Sequence, residues 1–242
     1  MQRPLAGTVV VDLSQNVAGP FGTMILGDLG ATVIKIERPD RGDDTRQWAS
    51  VVNGESTSFL GLNRNKKSVA VNIRHPAGRE IVEKLAAKAD VFVESMRPGK
   101  IEEIGLGWKK LSQLNPKLIY VSLSAFGRTG PMGGRPGYDT LLQAYSGIME
   151  ITGTPEGEPV RVGTPLIDLG TGMWLAIGTL AAIITQKLTG RGQRVQPSLL
   201  QTAVGYLPHQ IAEYTVTGKM PPGKLGTAAY AVAPYQAFKA KD

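Results

Sequence analysis

Cysteine is absent from the 242 residues, and histidine occurs only twice, as His75 and His209. Without thiols there is no disulfide, thiolate metal centre or cysteine nucleophile, and two histidines do not make a histidine-rich cage. No metal site is expected. Both histidines are read as structural, His75 leading into a helix in RHPAGRE and His209 lying in an apolar helical stretch. Aromatic residues make up only 6% of the chain and form no ladder on which bases would stack, which argues against a nucleic-acid partner. Internal repeats and low-complexity tracts are also missing.

Long hydrophobic runs are lacking as well. The opening MQRPLAGTVVVDLSQN has too short an apolar run for a signal peptide and enters a strand directly. Met173–Thr185, the longest apolar run, falls short of the roughly 20 residues that cross a bilayer. The expectation is a cytoplasmic protein, or a mitochondrial matrix one in a eukaryote, with no membrane partner. What is present is ordinary globular material, with 42% hydrophobic and 19% charged residues. A formal charge of +7 points to an anionic partner, and short basic clusters such as NRNKK (63–67), MRPGK (96–100) and GRGQR (190–194) follow predicted strands, where a phosphate would be met.

Periodicity places strands at Gly7–Ser14 and Ala31–Glu37 on either side of a helix over Gly19–Gly30. A short strand in SVAVNI, a helix over His75–Ala89, a strand in DVFVES, a short helix in WKKLSQLNP and an apolar strand in Lys117–Gly127 continue the alternation. This is the pattern of an α/β protein: a Rossmann-like, mostly parallel sheet with helices on both faces, whose ligands gather at the carboxyl ends of the strands. Beyond Asp139 the pattern turns helical, over Thr140–Ile151, Leu169–Leu188 and roughly Ser198–Thr217, and PYQAFKAKD reads as the start of a strand. The expected organisation is a Rossmann-like large domain over 1–200, with 201–242 a helix and linker towards a further, smaller domain.

The first βαβ unit lacks the glycine fingerprint of dinucleotide folds, since its turn reads SQNVAGPFG. Glu37 ends the second strand where such folds hold a ribose hydroxyl, but Arg38 follows at once, a planar cation suited to phosphate. An adenine nucleotide with an extra ribose phosphate, as in coenzyme A or NADP, matches better than NAD; the alternative is that Arg38 pairs with the neighbouring DRGDD. A second choice concerns Asp168 in VGTPLIDLGTGMW. At the start of an apolar helix it is either the N-cap, held ionised by free amides, or a reacting carboxylate that a substrate approaches over Gly163, Gly170 and Gly172.

Six ordered segments resemble the family III CoA-transferases, which include formyl-CoA transferase and the related acyl-CoA racemases. They are LSQNVAGPFGTMILGDLGATVIKIERPDRGDDTR, LNRNKKSVAVNI, FVESMRPGKIEEIGLGW, IYVSLSAFGRTGPMGGRPGYD, TPLIDLGTGMWLAIGTLAAIITQKLTGRGQ and PYQAFKAKD. Through GDDTRQW, NRNKKSVAVNI and PGKI, the similarity is strongest to the succinate-hydroxymethylglutarate (glutarate) branch. The resemblance implies that Asp168 is a covalent nucleophile carrying CoA as a thioester between an acyl-CoA and a small carboxylic acid, with coenzyme A a substrate and no permanently bound cofactor. It implies CoA contacts at Val17, Ala18, Arg38, Val71, Arg74, Ser95, Met96 and Arg97. Glu103 stands where the family often has a basic residue, which makes Lys100 the substitute candidate. Racemases of the family carry GHD where this chain has GYD, so Tyr138 takes the second catalytic position; a phenol of ordinary pKa about 10 is a poor proton carrier, and transfer is favoured over racemisation. An interlocked homodimer is implied for the full-length form, with a small domain and a C-terminal return beyond the residues seen here.

Overall fold

The computed structural model describes residues 3–242. β1 (Val9–Asp12), α1 (Ala18–Asp28) and β2 (Thr32–Glu37) form the first βαβ unit. Stiff β-branched side chains fill both strands, and Pro20 sits in the first turn of α1, where a missing N–H leaves no bond unmade. A 3₁₀ turn (Asp44–Gln47) and the hairpin of β3 (Val51–Val52) and β4 (Glu55–Ser56) lead into α2 (Thr57–Asn63) and β5 (Lys66–Ala70). Next come α3 (Pro76–Ala86), β6 (Val91–Glu94), α4 (Lys100–Glu103), α5 (Trp108–Leu114) and β7 (Ile119–Ser122). His75 caps α3, its Nδ1 accepting the Ala77 amide at 3.3 Å. The remainder is α6 (Asp139–Tyr145), α7 (Leu166–Thr189), β8 (Arg194–Val195), α8 (Leu199–Gly205) and α9 (Pro208–Thr217).

Six of these strands make one sheet in the order β5-β2-β1-β6-β7-β8, and every pairing in it is parallel. The chain starts in the middle, builds outward to β5, then returns past β1 to build the other half. β1 and β6 therefore flank the point where the winding reverses, and their following loops part to leave a crevice at the carboxyl edge.

Side chains alternate across the sheet, giving two cores. On one face Val10, Val91, Val93, Ile119 and Val121 meet α1, α7 and α8. On the other, Val11, Phe92, Leu118 and Tyr120 meet α3, α4 and α5. The chain is apolar on both sides of β6 and β7 because helices cover both. Contact between α1 and α7 is close enough to need glycine: a Cβ on Gly172 would lie 2.6 Å from the Ala18 carbonyl oxygen, and one on Gly22 would lie 2.7 Å from the Gly172 oxygen.

Several boundaries differ from the periodic pattern. The helix expected over Ser198–Thr217 is two helices, because Pro208 has no N–H to continue the ladder and pushes Leu207 out of the helical region. The helix expected to reach Ile151 stops at Tyr145, before Gly147 takes a positive φ of 87°. No strand forms in 234–242: the segment meets 227–229 through two hydrogen bonds, from the Ala229 amide to the Tyr235 carbonyl at 2.8 Å and from the Ala237 amide to Thr227 Oγ1 at 3.2 Å, and only the first joins backbone to backbone, so no ladder develops. α7 runs longer than its apolar centre: its 24 residues are, by length and composition alone, enough to cross a bilayer, but half of its most apolar window is buried inside the fold.

Candidate active site

α7 opens with a proline as its first cap position, and Pro165 has no side chain with which to bond the free amides. Asp139, at the start of α6, supplies the acceptor instead. Its Oδ2 takes the amides of Ile167 at 2.8 Å and Asp168 at 3.1 Å, while its Oδ1 accepts from Gln143 Nε2 at 2.5 Å. Gln143 in turn accepts the Val162 amide at 2.8 Å, so the segment before α7 is tied to α6. The N-cap reading of Asp168 is thereby corrected, because the capping carboxylate is that of Asp139, 29 residues upstream.

Asp168 is left with a partly exposed carboxylate that accepts no hydrogen bond among the described residues. Burial, and then the negative charge of Asp139, raise its pKa from 3.8 to about 7. The expectation that local amides keep it ionised is also corrected: those amides are spent on Asp139, and the protonated and charged forms lie in balance near neutrality. Of the three glycines around it, only Gly163 has open space. Gly170 is covered by the Tyr206 hydroxyl and Gly172 by α1.

At the reversal of the sheet winding lies a cleft of about 140 Å³, lined by Asn16 after β1, Ser95–Pro98 after β6, Ser124 and Ala125 after β7, and Arg135–Tyr138. It gathers four of the expected residues, Ser95, Met96, Arg97 and Tyr138. Tyr138 is 72% exposed and immediately precedes the capping Asp139. Ser95 Oγ accepts the Gln15 amide at 3.1 Å, and the Met96 amide donates to Glu94 Oε2 at 2.8 Å, so the loops after β1 and β6 are braced against each other. Val17 and Ala18 are buried at the start of α1, with the Ala18 carbonyl against Gly172, one helical turn along α7 from Asp168.

The other expected contacts lie off this cleft. Arg38 donates to the Gly42 carbonyl at 3.1 and 3.0 Å and pairs with Asp44 at 2.5 Å, the alternative left open by DRGDD. Val71 is buried, its amide bonded to the Glu37 carbonyl at 2.8 Å, and Arg74 is exposed just beyond it. Lys100 is exposed and pairs with Glu103 at 2.7 Å. Glu37 does not stand open to a ribose: it accepts from Arg46 at 2.7 and 2.8 Å, Ser68 at 2.7 Å and the Asp43 amide at 2.9 Å. Sequence reasoning passed over Arg135 and Asn16 as lining residues; a basic residue in the Gly/Pro loop GGRPGYD was the available signal for the first.

An all-parallel sheet with Arg97 and Arg135 lining a cleft at its winding reversal is an α/β architecture of the kind that holds ligands at the carboxyl edge of its strands. Residues 5–242 match the model of CoA-transferase family III, and the chain belongs to that family. It is 48% identical, over 99% of its length, to the succinyl-CoA:glutarate CoA-transferase of Mus musculus, and spans 55% of that relative. It is 41% identical, again over 99%, to the acetyl-CoA:oxalate CoA-transferase of Acetobacter aceti, spanning 61% of it. The crystal structure of a CAIB/BAIF family protein from Brucella suis superposes with a TM-score of 0.91 at 40% identity, covering 98% of this chain and 63% of that one. The chain thus spans little more than half the length of the relatives it matches.

Proposed function

We propose that these residues carry the nucleophile and the CoA cleft of an acyl-CoA:carboxylate CoA-transferase, with succinyl-CoA or another dicarboxylyl-CoA as donor and a small carboxylic acid as acceptor. The observation that carries this reading is the Asp168 carboxylate, relieved of capping by Asp139 and left, among the described residues, without a hydrogen bond at the head of α7. A nucleophile needs its lone pairs unshared, and this one has them.

In its ionised form an Asp168 oxygen attacks the thioester carbonyl carbon, the C–S bond breaks, and CoA leaves as the thiolate, giving a mixed anhydride. The thiolate then attacks the aspartyl carbonyl and releases the donor acid as its carboxylate, leaving CoA on Asp168 as a thioester. An acceptor carboxylate runs the same steps in reverse. One thioester replaces another, so no net bond energy has to be supplied. The cationic Arg97 and Arg135 of the cleft suit the phosphates of CoA. Tyr138 at the cleft mouth serves as a hydrogen-bond donor to the substrate in this reading, which favours transfer over racemisation. A homodimer belongs to the same proposal, and the exposed stripe Met173, Trp174, Ile177, Ile184 and Leu188 of α7 is apolar surface that further protein would cover.

Mass spectrometry of the full-length protein after mixing with succinyl-CoA tests the reading. A CoA adduct on the peptide containing Asp168, absent in Asp168→Asn, is expected; exchange of CoA between acids that persists in Asp168→Ala would place the nucleophile elsewhere.

A further inference from the structure

The loop between β1 and α1 has an unusual support. Residues 14–16 take part in no sheet ladder, and each of their amides is bonded to a side chain. Ser14 N donates to Asp12 Oδ1 at 2.9 Å, Gln15 N to Ser95 Oγ at 3.1 Å and Asn16 N to Asp43 Oδ1 at 3.3 Å. The Ser14 carbonyl accepts from Lys35 Nζ at 2.9 Å. Asn16 sits in the left-handed region at φ 67°, a conformation that asparagine tolerates but that persists only when its surroundings hold it.

Lys35 and Asp43 are each 1% exposed and their charges meet at 2.8 Å. Asp43 also accepts from Thr45 N at 3.0 Å and Thr45 Oγ1 at 2.8 Å, and its own amide donates to Glu37. A second buried pair, Lys66 with Asp12 at 3.1 Å, backs the first, with Lys66 further donating to the Pro20 carbonyl and Asn63. Buried ion pairs add little net stability compared with apolar residues of the same volume. An apolar pair would fill the space on β2, yet would offer neither the donor that Ser14 uses nor the acceptor that Asn16 uses.

We infer that Lys35 and Asp43 are positioning residues for coenzyme A, their buried pair fixing the Ser14–Asn16 loop so that Asn16 lines the cleft and the start of α1 is held directly behind it. The inference rests on the CoA-transferase reading above. The pair also joins two loops, since Asp43 belongs to the turn closed by Arg38 and Asp44. Neither side chain touches the reacting atoms. Their effect is on where the α1 terminus stands, and through the Ala18–Gly172 contact on how α1 lies against the helix of Asp168.

Calorimetric titration of the full-length protein with free CoA, for wild type, Asp43→Asn, Lys35→Met and the double variant, tests this. Asp43→Asn keeps an oxygen for Asn16 but loses the charge that orients Lys35. Each single variant is expected to weaken CoA binding at least tenfold, with KM for the acyl-CoA rising by more than kcat falls, and with faster amide exchange at Gln15 and Asn16 while β6 and β7 amides are unaffected. The double variant leaves no uncompensated charge, so it folds where Lys35→Met fails, and it is expected to bind no more weakly than the worse single variant. CoA affinity within twofold of wild type in Asp43→Asn and in the double variant, with only the melting temperature lowered, overturns the inference and leaves the pair a structural one. Wild-type protein that does not bind CoA overturns the functional reading itself, and this inference with it.

Discussion

Asp139 accepts the backbone amide of Asp168 at 3.1 Å, so the carboxylate that caps α7 and the one that heads it are different groups held side by side. The capping charge raises the affinity of its neighbour for a proton. Asp139→Asn keeps an oxygen for the two amides and removes the charge. The pH midpoint on the rising limb of kcat/KM is expected to move down, while burial still holds it above that of a solvent-exposed carboxylate. A pH–rate profile of the variant checks this, and an unmoved midpoint would mean the two carboxylates are not coupled.

Asp168 itself carries a stability penalty. Its carboxyl ionises near 3.8 when unfolded and at about 7 in the fold. Between those values the native state holds a proton that the unfolded chain has released, so stability falls as pH rises across that window and the loss is complete above it. Asp168→Asn is expected to abolish transfer and yet stabilise the protein by about 1–2 kcal/mol near pH 8, a figure reduced for the group's partial exposure. Near pH 4 the gain should vanish. Urea unfolding at the two pH values measures the difference.

Gly172 is where α1 and α7 touch. Its missing Cβ would stand 2.6 Å from the Ala18 carbonyl, so Gly172→Ala must push the helices apart and is expected to destabilise by about 1–3 kcal/mol. It should also weaken CoA binding, because the start of α1 moves. Gly61, in α2, has nothing within 4 Å of its would-be Cβ. There the same substitution is expected to stabilise by about 0.5–1 kcal/mol through helix propensity. Equal effects at the two positions would contradict the close crossing.

Much of the fold was legible because its determinants are local. Valine and isoleucine runs made β1, β2, β6 and β7, and helical spacing made α1, α3 and α7, each to within a few residues. Boundaries failed where one residue overrode the period, at Pro208 and Gly147. The candidate cleft was legible in part. Ser95, Met96, Arg97 and Tyr138 were expected and share the cleft, while Arg38 and Lys100 are engaged with carboxylates six and three residues along the chain.

The sequence by itself determined the alternation of strand and helix, the absence of thiol chemistry and the place of Asp168 at a helix start, since these depend on side-chain type and short-range spacing. Only the tertiary structure decided that the Asp168 carboxylate accepts no hydrogen bond among the described residues. Its local surroundings make it look like a cap, and nothing in a window of a dozen residues reveals that Asp139 reaches the same amides from the start of another helix. Competition for one set of donors is settled by packing across the chain, and the carboxylate that loses it is left without a hydrogen bond among the described residues.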